Sequence, residues 1–165
     1  MLLVLDASAI LNEPNFSFEE GKRYMVTPLV RNEFRSMEPR LLVENAEAHG
    51  LLSVRTPKKE FVEKARALIK EHGFKISKPD ESVLALGLEL KACGEKFLVL
   101  TDDFSIQNFL EIAGVPFSSV IQGEIKQVFY FSKKCVVCGK KFPRKKSVCP
   151  DCGVPLKSCV KKKSI

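Results

Sequence analysis

Histidine is scarce in this chain of 165 residues: there are two, His49 and His72. Both fall at expected helix ends, where imidazoles commonly bond terminal carbonyls, and neither has a nucleophile partner in view. The phosphate loops G-x-x-x-x-G-K-[ST] and G-x-G-x-x-G are missing too, which removes the usual nucleotide-binding signatures. No charged-then-apolar leader opens the chain, and no apolar run approaches the ~18 residues of a membrane span. These absences predict a cytoplasmic protein that works away from membranes. Repeats and low-complexity blocks are also lacking, apart from a lysine-rich end.

What is present points to a globular chain with an unusual charge layout. Hydrophobic residues make up 45%, enough to bury a core. Six cysteines in a reducing compartment argue for metal binding or catalysis rather than disulfides. The formal charge is +7, but positions from Lys133 onward hold 11 of the 27 Lys and Arg and only one acid, Asp151. The front is thus mildly acidic and the tail strongly basic, as for a tail drawn to a polyanion, with nucleic acid the leading candidate.

Along the chain, short apolar runs alternate with helical patterns. Leu2–Leu5, Tyr24–Val26, Leu51–Val54, Phe97–Leu100 and Phe117–Val120 read as strands, the first fully buried. Thr27-Pro28 and Thr56-Pro57 each read as a cap followed by a first-turn proline, and so as helix starts. The first of these helices is expected to carry Glu33 and Phe34, with Pro39 breaking or restarting it. Pro79-Asp80-Glu81 opens a helix that is apolar on nearly every side and therefore buried, with Cys93 packed at its end. Phe104–Ala113 forms another, stopped at Gly114. The alternation predicts an α/β domain with a mainly parallel sheet flanked by helices. The pattern changes near residue 124, giving a division into 1–123, a connector over 124–131 that includes the strand-like Val128–Phe131, and a ribbon with basic tail over 132–165.

Cys135-Val136-Val137-Cys138-Gly139 and Cys149-Pro150-Asp151-Cys152-Gly153 are matched knuckles. Each C-x-x-C turns both sulfurs to one point, and the glycine accommodates the positive φ that follows. Four thiolates suit a tetrahedral structural zinc whose shell is closed, so this metal is not the catalyst. It makes up for a core too small to fold ~30 residues unaided. Lys140, Lys141, Arg144, Lys145 and Lys146 lie between the knuckles as candidate RNA contacts. Phe142 is read first as part of the ribbon's small core and second as a base-stacking residue. Cys159, without a partner knuckle, is a spare thiol.

The remaining chemistry lies in carboxylates. Asp6 and Asp102-Asp103 follow strands, Asp80 opens the buried helix, and Glu33 follows the second strand. In parallel sheets the functional crevice lies beyond the carboxyl ends of the strands. Carboxylates gathered there repel one another unless a divalent cation lies among them, and oxygen-only ligands favour magnesium or manganese. Taken singly, each acid has a plainer reading: Asp6, Asp80, Asp102 and Asp103 as helix caps, Glu33 as a solvated acid. Ser8 lacks a base to make it a nucleophile, and Thr101 reads either as orienting a carboxylate or as satisfying backbone groups only.

Leu-Val-Leu-Asp-Ala-Ser-Ala at 3–9, Val-Arg-Asn-Glu-Phe at 30–34, Pro-Asp-Glu-Ser-Val-Leu-Ala-Leu at 79–86 and Val-Leu-Thr-Asp-Asp-Phe at 99–104 resemble the PIN-domain nucleases over roughly residues 1–123. A PIN-like front followed by a four-cysteine ribbon, with Gln107-Asn108 after the last acids, is similar to the Nob-one type of endoribonuclease in a compact archaeal form. The resemblance implies cleavage of single-stranded RNA with Mn²⁺ or Mg²⁺ held by Asp6, Glu33, Asp80 and Asp103, with Asp102 close behind Asp103. It further implies formation of the mature 3′ end of small-subunit ribosomal RNA, with the precursor subunit and a KH-domain assembly factor as partners. A toxin-type PIN ribonuclease is usually a lone PIN domain, so the ribbon argues against it. A non-catalytic RNA-binding scaffold is disfavoured by the presence of every acid.

Overall fold

The computed structural model describes residues 1–121 and 125–164. Strand β1 (Leu2–Leu5) has no polar side chain, so it is stable only where both faces are covered, and it lies buried at the centre of a sheet. It pairs in parallel with β2 (Arg23–Val26) on one side and β4 (Phe97–Leu100) on the other. β3 (Leu52–Val54) and β5 (Phe117–Ser118) complete the parallel order β3-β2-β1-β4-β5. The last strand is thus shorter than the expected 117–120. Succession runs outward one way from β1 to β3 and the other way from β4, so the topological switch lies between β1 and β4.

Helices α1 (Ser8–Leu11), α2 (Pro28–Arg31), α3 (Met37–Ala48), α4 (Lys59–His72), α5 (Lys78–Ala92) and α6 (Phe104–Ala113) connect the strands. α5 is buried continuously from Ser82 to Leu90, as its all-round apolar pattern predicts. Three expectations need correction. α2 stops at Arg31, so Glu33 lies in the turn beyond it; that turn carries Phe34 into the core and leaves Glu33 exposed. Pro39 then sits inside the first turn of α3, where its missing N–H costs nothing. Thr56-Pro57 does not start α4, because Arg55 and the Lys58 amide both bond the carboxylate of Glu89, at 2.5 and 2.8 Å, holding 55–58 extended until Lys59. Cys93 caps the C-terminal end of α5 and is exposed rather than packed.

A second, antiparallel sheet has β6 (Gln127–Lys134) between β7 (Lys141–Pro143) and β8 (Lys157–Ser164). The strand character at Val128–Phe131 therefore belongs to its middle strand. The division placed between 123 and 124 falls on residues 122–124, outside the described residues, as does Ile165.

This sheet is docked on the first one's helices by side chains, not by strand pairing. Asn108 on α6 reads both backbone groups of Phe129: its Oδ1 accepts from the amide at 2.7 Å and its Nδ2 donates to the carbonyl at 3.1 Å. Gln107 donates to the Thr101 carbonyl at 2.9 Å and accepts from the Ile125 amide at 3.0 Å. Phe74 meets Phe131 edge-to-face at 5.6 Å. Arg144 lies 5.0 Å over Phe131 and donates to the Gly73 carbonyl at 2.7 Å. Gly73 ends α4 at φ +69°, and a Cβ there would come within 2.5 Å of the Arg144 side chain, so only glycine serves both ends of this contact. No helix among the described residues is long and apolar enough to cross a membrane.

Candidate functional site

Asp6 stands at the switch point, where the β1–β4 register puts Leu5 beside Leu100. It is 2% exposed, an expensive place for a charge unless hydrogen bonds hold it. Ser8 donates to Asp6 Oδ2 at 2.6 Å and Thr101 donates to the same oxygen at 2.9 Å. Ser8 also accepts the Asp102 amide at 2.9 Å, and Thr101 accepts the Asp103 amide at 3.2 Å. Two hydroxyls thus fix the carboxylate and the β4–α6 turn together. Burial pushes the Asp6 carboxyl above its ordinary range against those hydrogen bonds, and the negative charge of Asp80 adds to the rise.

Asp80 is the third residue of α5 and shares a capping box with Ser77, each side chain bonding the other's backbone amide at 3.3 Å. The Thr27–Ser82 hydroxyl contact, 2.6 Å, pins the start of α5 to the end of β2. Glu33 beyond α2 is raised as well, by partial loss of water and then by the charges of Asp80 and Asp6, with Arg35 opposing. Asp6, Glu33 and Asp80 are therefore brought within electrostatic reach of one another. Asp103 caps α6 at the same edge of the sheet, accepting from Ser105 at 2.6 Å and Ile106 at 3.3 Å. Asp102 is turned elsewhere: one oxygen accepts from the Ser119 hydroxyl and from the amides of Val120 and Ile121, both at 3.0 Å, tying down the chain after β5. Neighbouring acids thus have distinct partners.

No salt bridge among the described residues involves Asp6, Glu33, Asp80 or Asp103. A patch of negative charge without an ion pair among the described residues suits a divalent cation held by oxygen ligands. The acids do not close as tightly as the cysteines, which among the described residues are the group of donors lying within 4.8 Å of one another.

Those cysteines form the second centre. Cys138 and Cys149 sulfurs are 3.7 Å apart, close to the ~3.8 Å edge of a tetrahedron with metal–sulfur bonds of about 2.3 Å. The knuckle glycines, Gly139 and Gly153, take φ of +71° and +66°. Amides of Cys138 and Val137 point at the Cys135 sulfur and bring its thiol down to about 7. Contact with Cys138, then burial and the other sulfurs, push Cys152 up to about 12, so the cluster does not ionise fully without a cation. Among the described residues Cys135, Cys149 and Leu156 form its small buried core, with Phe142, Cys152 and Val154 partly covered. Phe142 is therefore a core residue, and Lys146 lies 5.5 Å over its ring. Cys159 is on β8, outside the cluster.

Of the basic residues between the knuckles, Lys141, Lys145 and Lys146 are exposed. Lys140 is paired with Asp151 at 2.5 Å, and Arg144 is spent on docking. His49 bonds the Asn45 carbonyl at 2.8 Å, as a helix-end histidine should. Sequence reasoning missed Ser8 as a support for Asp6 and missed the pairing of buried Glu89 with half-buried Arg55; only the proximity of Ser8 to Asp6 in the chain hinted at the first.

Comparison with known proteins shows the family. Residues 3–90 match the family model described as the PIN domain of ribonuclease. Endoribonuclease Nob1 of Methanocaldococcus jannaschii is 35% identical over 156 residues, 93% of this chain and 75% of that protein. Endoribonuclease Nob1 of Pyrococcus abyssi is 35% identical over 159 residues, 94% of this chain and 91% of its own length. The structure of VapBC-1 from nontypeable Haemophilus influenzae superposes with a TM-score of 0.51 over 72% of this chain and 98% of that one, at 15% identity, a likeness of fold. With a parallel sheet carrying acids at its switch point and a four-cysteine ribbon docked on α6, the chain belongs to the Nob1 family of PIN-domain endoribonucleases.

Proposed function

We propose that this endoribonuclease cuts precursor small-subunit ribosomal RNA to leave its mature 3′ end, using Mn²⁺ or Mg²⁺ at the acidic corner and Zn²⁺ in the ribbon. The carrying observation is Asp6: a buried carboxylate at the switch point, clamped by Ser8 and Thr101 and crowded by Asp80 rather than neutralised by a base. Asp6, Glu33, Asp80 and Asp103 would hold the divalent ion. When bound, such an ion would make a bound water more acidic than bulk water and would stabilise charge on the leaving oxygen.

The protein's own part is positioning. Thr101 and Ser8 keep the Asp6 carboxylate aimed. Asp103 stays fixed through its bonds to the first amides of α6. Water adds to phosphorus, the P–O3′ bond breaks and the proton goes to the departing O3′, leaving a 5′-phosphate and a 3′-hydroxyl. Asp102 holds the chain at 119–121 and takes no direct part in this scheme. Lys141, Lys145 and Lys146 contribute phosphate contacts, for which the acidic front is poorly suited. Their ribbon is a structural unit: four sulfur ligands leave the zinc no open position.

The test offers the purified chain an RNA spanning the small-subunit 3′ end, with manganese, beside Asp6→Asn protein and an unrelated RNA. One cut by the parent at the mature end and none by the variant is expected. Equal cutting by both proteins would overturn the acidic site, and indifferent cutting of both RNAs would overturn the maturation role.

A further inference from the structure

Between α6 and β6 lies a cleft of about 520 Å³ that the scheme above leaves unused. Its volume is within the ~300–1,000 Å³ typical of small-ligand sites. Four aromatic rings line it, Phe74, Phe104, Phe129 and Phe131, together with three cations, Lys75, Lys126 and Arg144. Three of the rings are already engaged: Phe129 has Lys162 at 5.4 Å over its face, Phe131 has Arg144 and Phe74, and Phe74 also meets Phe109. Phe104 is different. It is 52% exposed, and among the described residues it makes no ring–ring or cation–π contact.

We infer that this cleft is a base-binding subsite that takes one unstacked nucleobase of single-stranded RNA on Phe104, beside the acidic corner. Phe104 is the residue after Asp103, so a base on its ring is one step along the chain from a proposed metal ligand. The combination of a free aromatic face with cations at the rim is what single-stranded RNA needs: a platform for the base and charge for its phosphate. An apolar protein segment would find the face but would leave Lys75 and Lys126 without anionic partners. Neither lysine forms a salt bridge among the described residues. Nucleic acid also matches the basic surface of the neighbouring ribbon.

The inference rests on RNA being the substrate, and its test separates the two. Full-length Asp6→Asn protein, with no manganese added, is titrated into single-stranded RNAs of about ten nucleotides carrying 2-aminopurine at successive positions. One position should be quenched on binding. Adding Phe104→Ala should abolish that quenching and weaken affinity about tenfold, the order expected for one base–aromatic stack, while Phe104→Tyr keeps both. Because the ring is half exposed, its loss does not threaten the core. Unchanged quenching and affinity in the alanine protein would overturn the subsite and leave the cleft to a protein partner. If the parent protein cuts no RNA with manganese yet the quenching pattern holds, the cleavage reading fails and the subsite stands.

Discussion

The Thr101 hydroxyl donates to Asp6 Oδ2 across 2.9 Å, joining the ends of β1 and β4, which are 95 residues apart in the chain. The same hydroxyl accepts the Asp103 amide. One side chain therefore sets the aim of an acid on one strand and the entry into α6 on the next. Thr101→Val should cost about 1–3 kcal/mol of stability, the range for a buried bond to a charged group. It should also lower kcat more than it changes KM, whereas Thr101→Ser should retain most activity. Urea denaturation and single-turnover cleavage measure the two; an unchanged kcat in the valine protein would break the proposed link.

Asp6 offers a pH test whose sign is fixed. Burial, helped by Asp80, raises its folded pKa above the ordinary 3.8, so the folded chain keeps a proton that the unfolded chain releases. The group's contribution is most favourable below the unfolded value and is lost as pH rises through the folded one. With no magnesium or manganese added, Asp6→Asn should melt at or above the parent temperature at pH 7, with the gap closing toward pH 4. Thermal melts at both pH values decide it, and a variant clearly less stable at pH 7 would mean the carboxylate is well satisfied by its neighbours.

Both predictions use a residue that could be picked out beforehand: an apolar run ending in Asp is a strand emptying into a crevice. Other parts of the site left no such mark. Adjacent acids at 102 and 103 are indistinguishable as text, and only the bonds from Ser119, Val120 and Ile121 separate them. In the sequence Glu89 is one polar position on an apolar helix. Its partner Arg55 lies 34 residues away, and no local pattern encodes that distance. Glu33 was assigned to a helix because Thr27-Pro28 starts one, but start signals carry no information on length.

Asn108 tests how the ribbon is held. Asn108→Ala leaves both backbone groups of Phe129 without their partner and should destabilise the chain by about 1–3 kcal/mol. Limited proteolysis should then cut more readily between 125 and 134 than in the parent. Equal resistance would assign the docking to Phe74 and Arg144 alone.

The ribbon's metal has its own readout. Cys149→Ser should lose zinc by elemental analysis and collapse the amide spectrum of 135–156, while the sheet β1–β5, with its separate core, keeps its dispersion. A serine protein that still holds one tight zinc per chain would show a different ligand set.

Salt dependence distinguishes the basic side chains. Lys145→Ala should reduce the slope of log affinity against log salt by about 0.7, the value for one phosphate contact on a single strand. Lys140→Ala should change it less, since Asp151 already occupies that ammonium. Equal slopes for both variants would remove the distinction.

Gln107 has two hands on different parts of the protein: its Nε2 holds the Thr101 carbonyl and its Oε1 holds the Ile125 amide. The segment leading into β6 cannot leave α6 without letting go of the amide group that also steadies the end of β4. The strand that carries the basic ribbon is thereby joined to the clamp on Asp6 through two polar side chains, Gln107 and Thr101, by a route that bypasses the hydrophobic core.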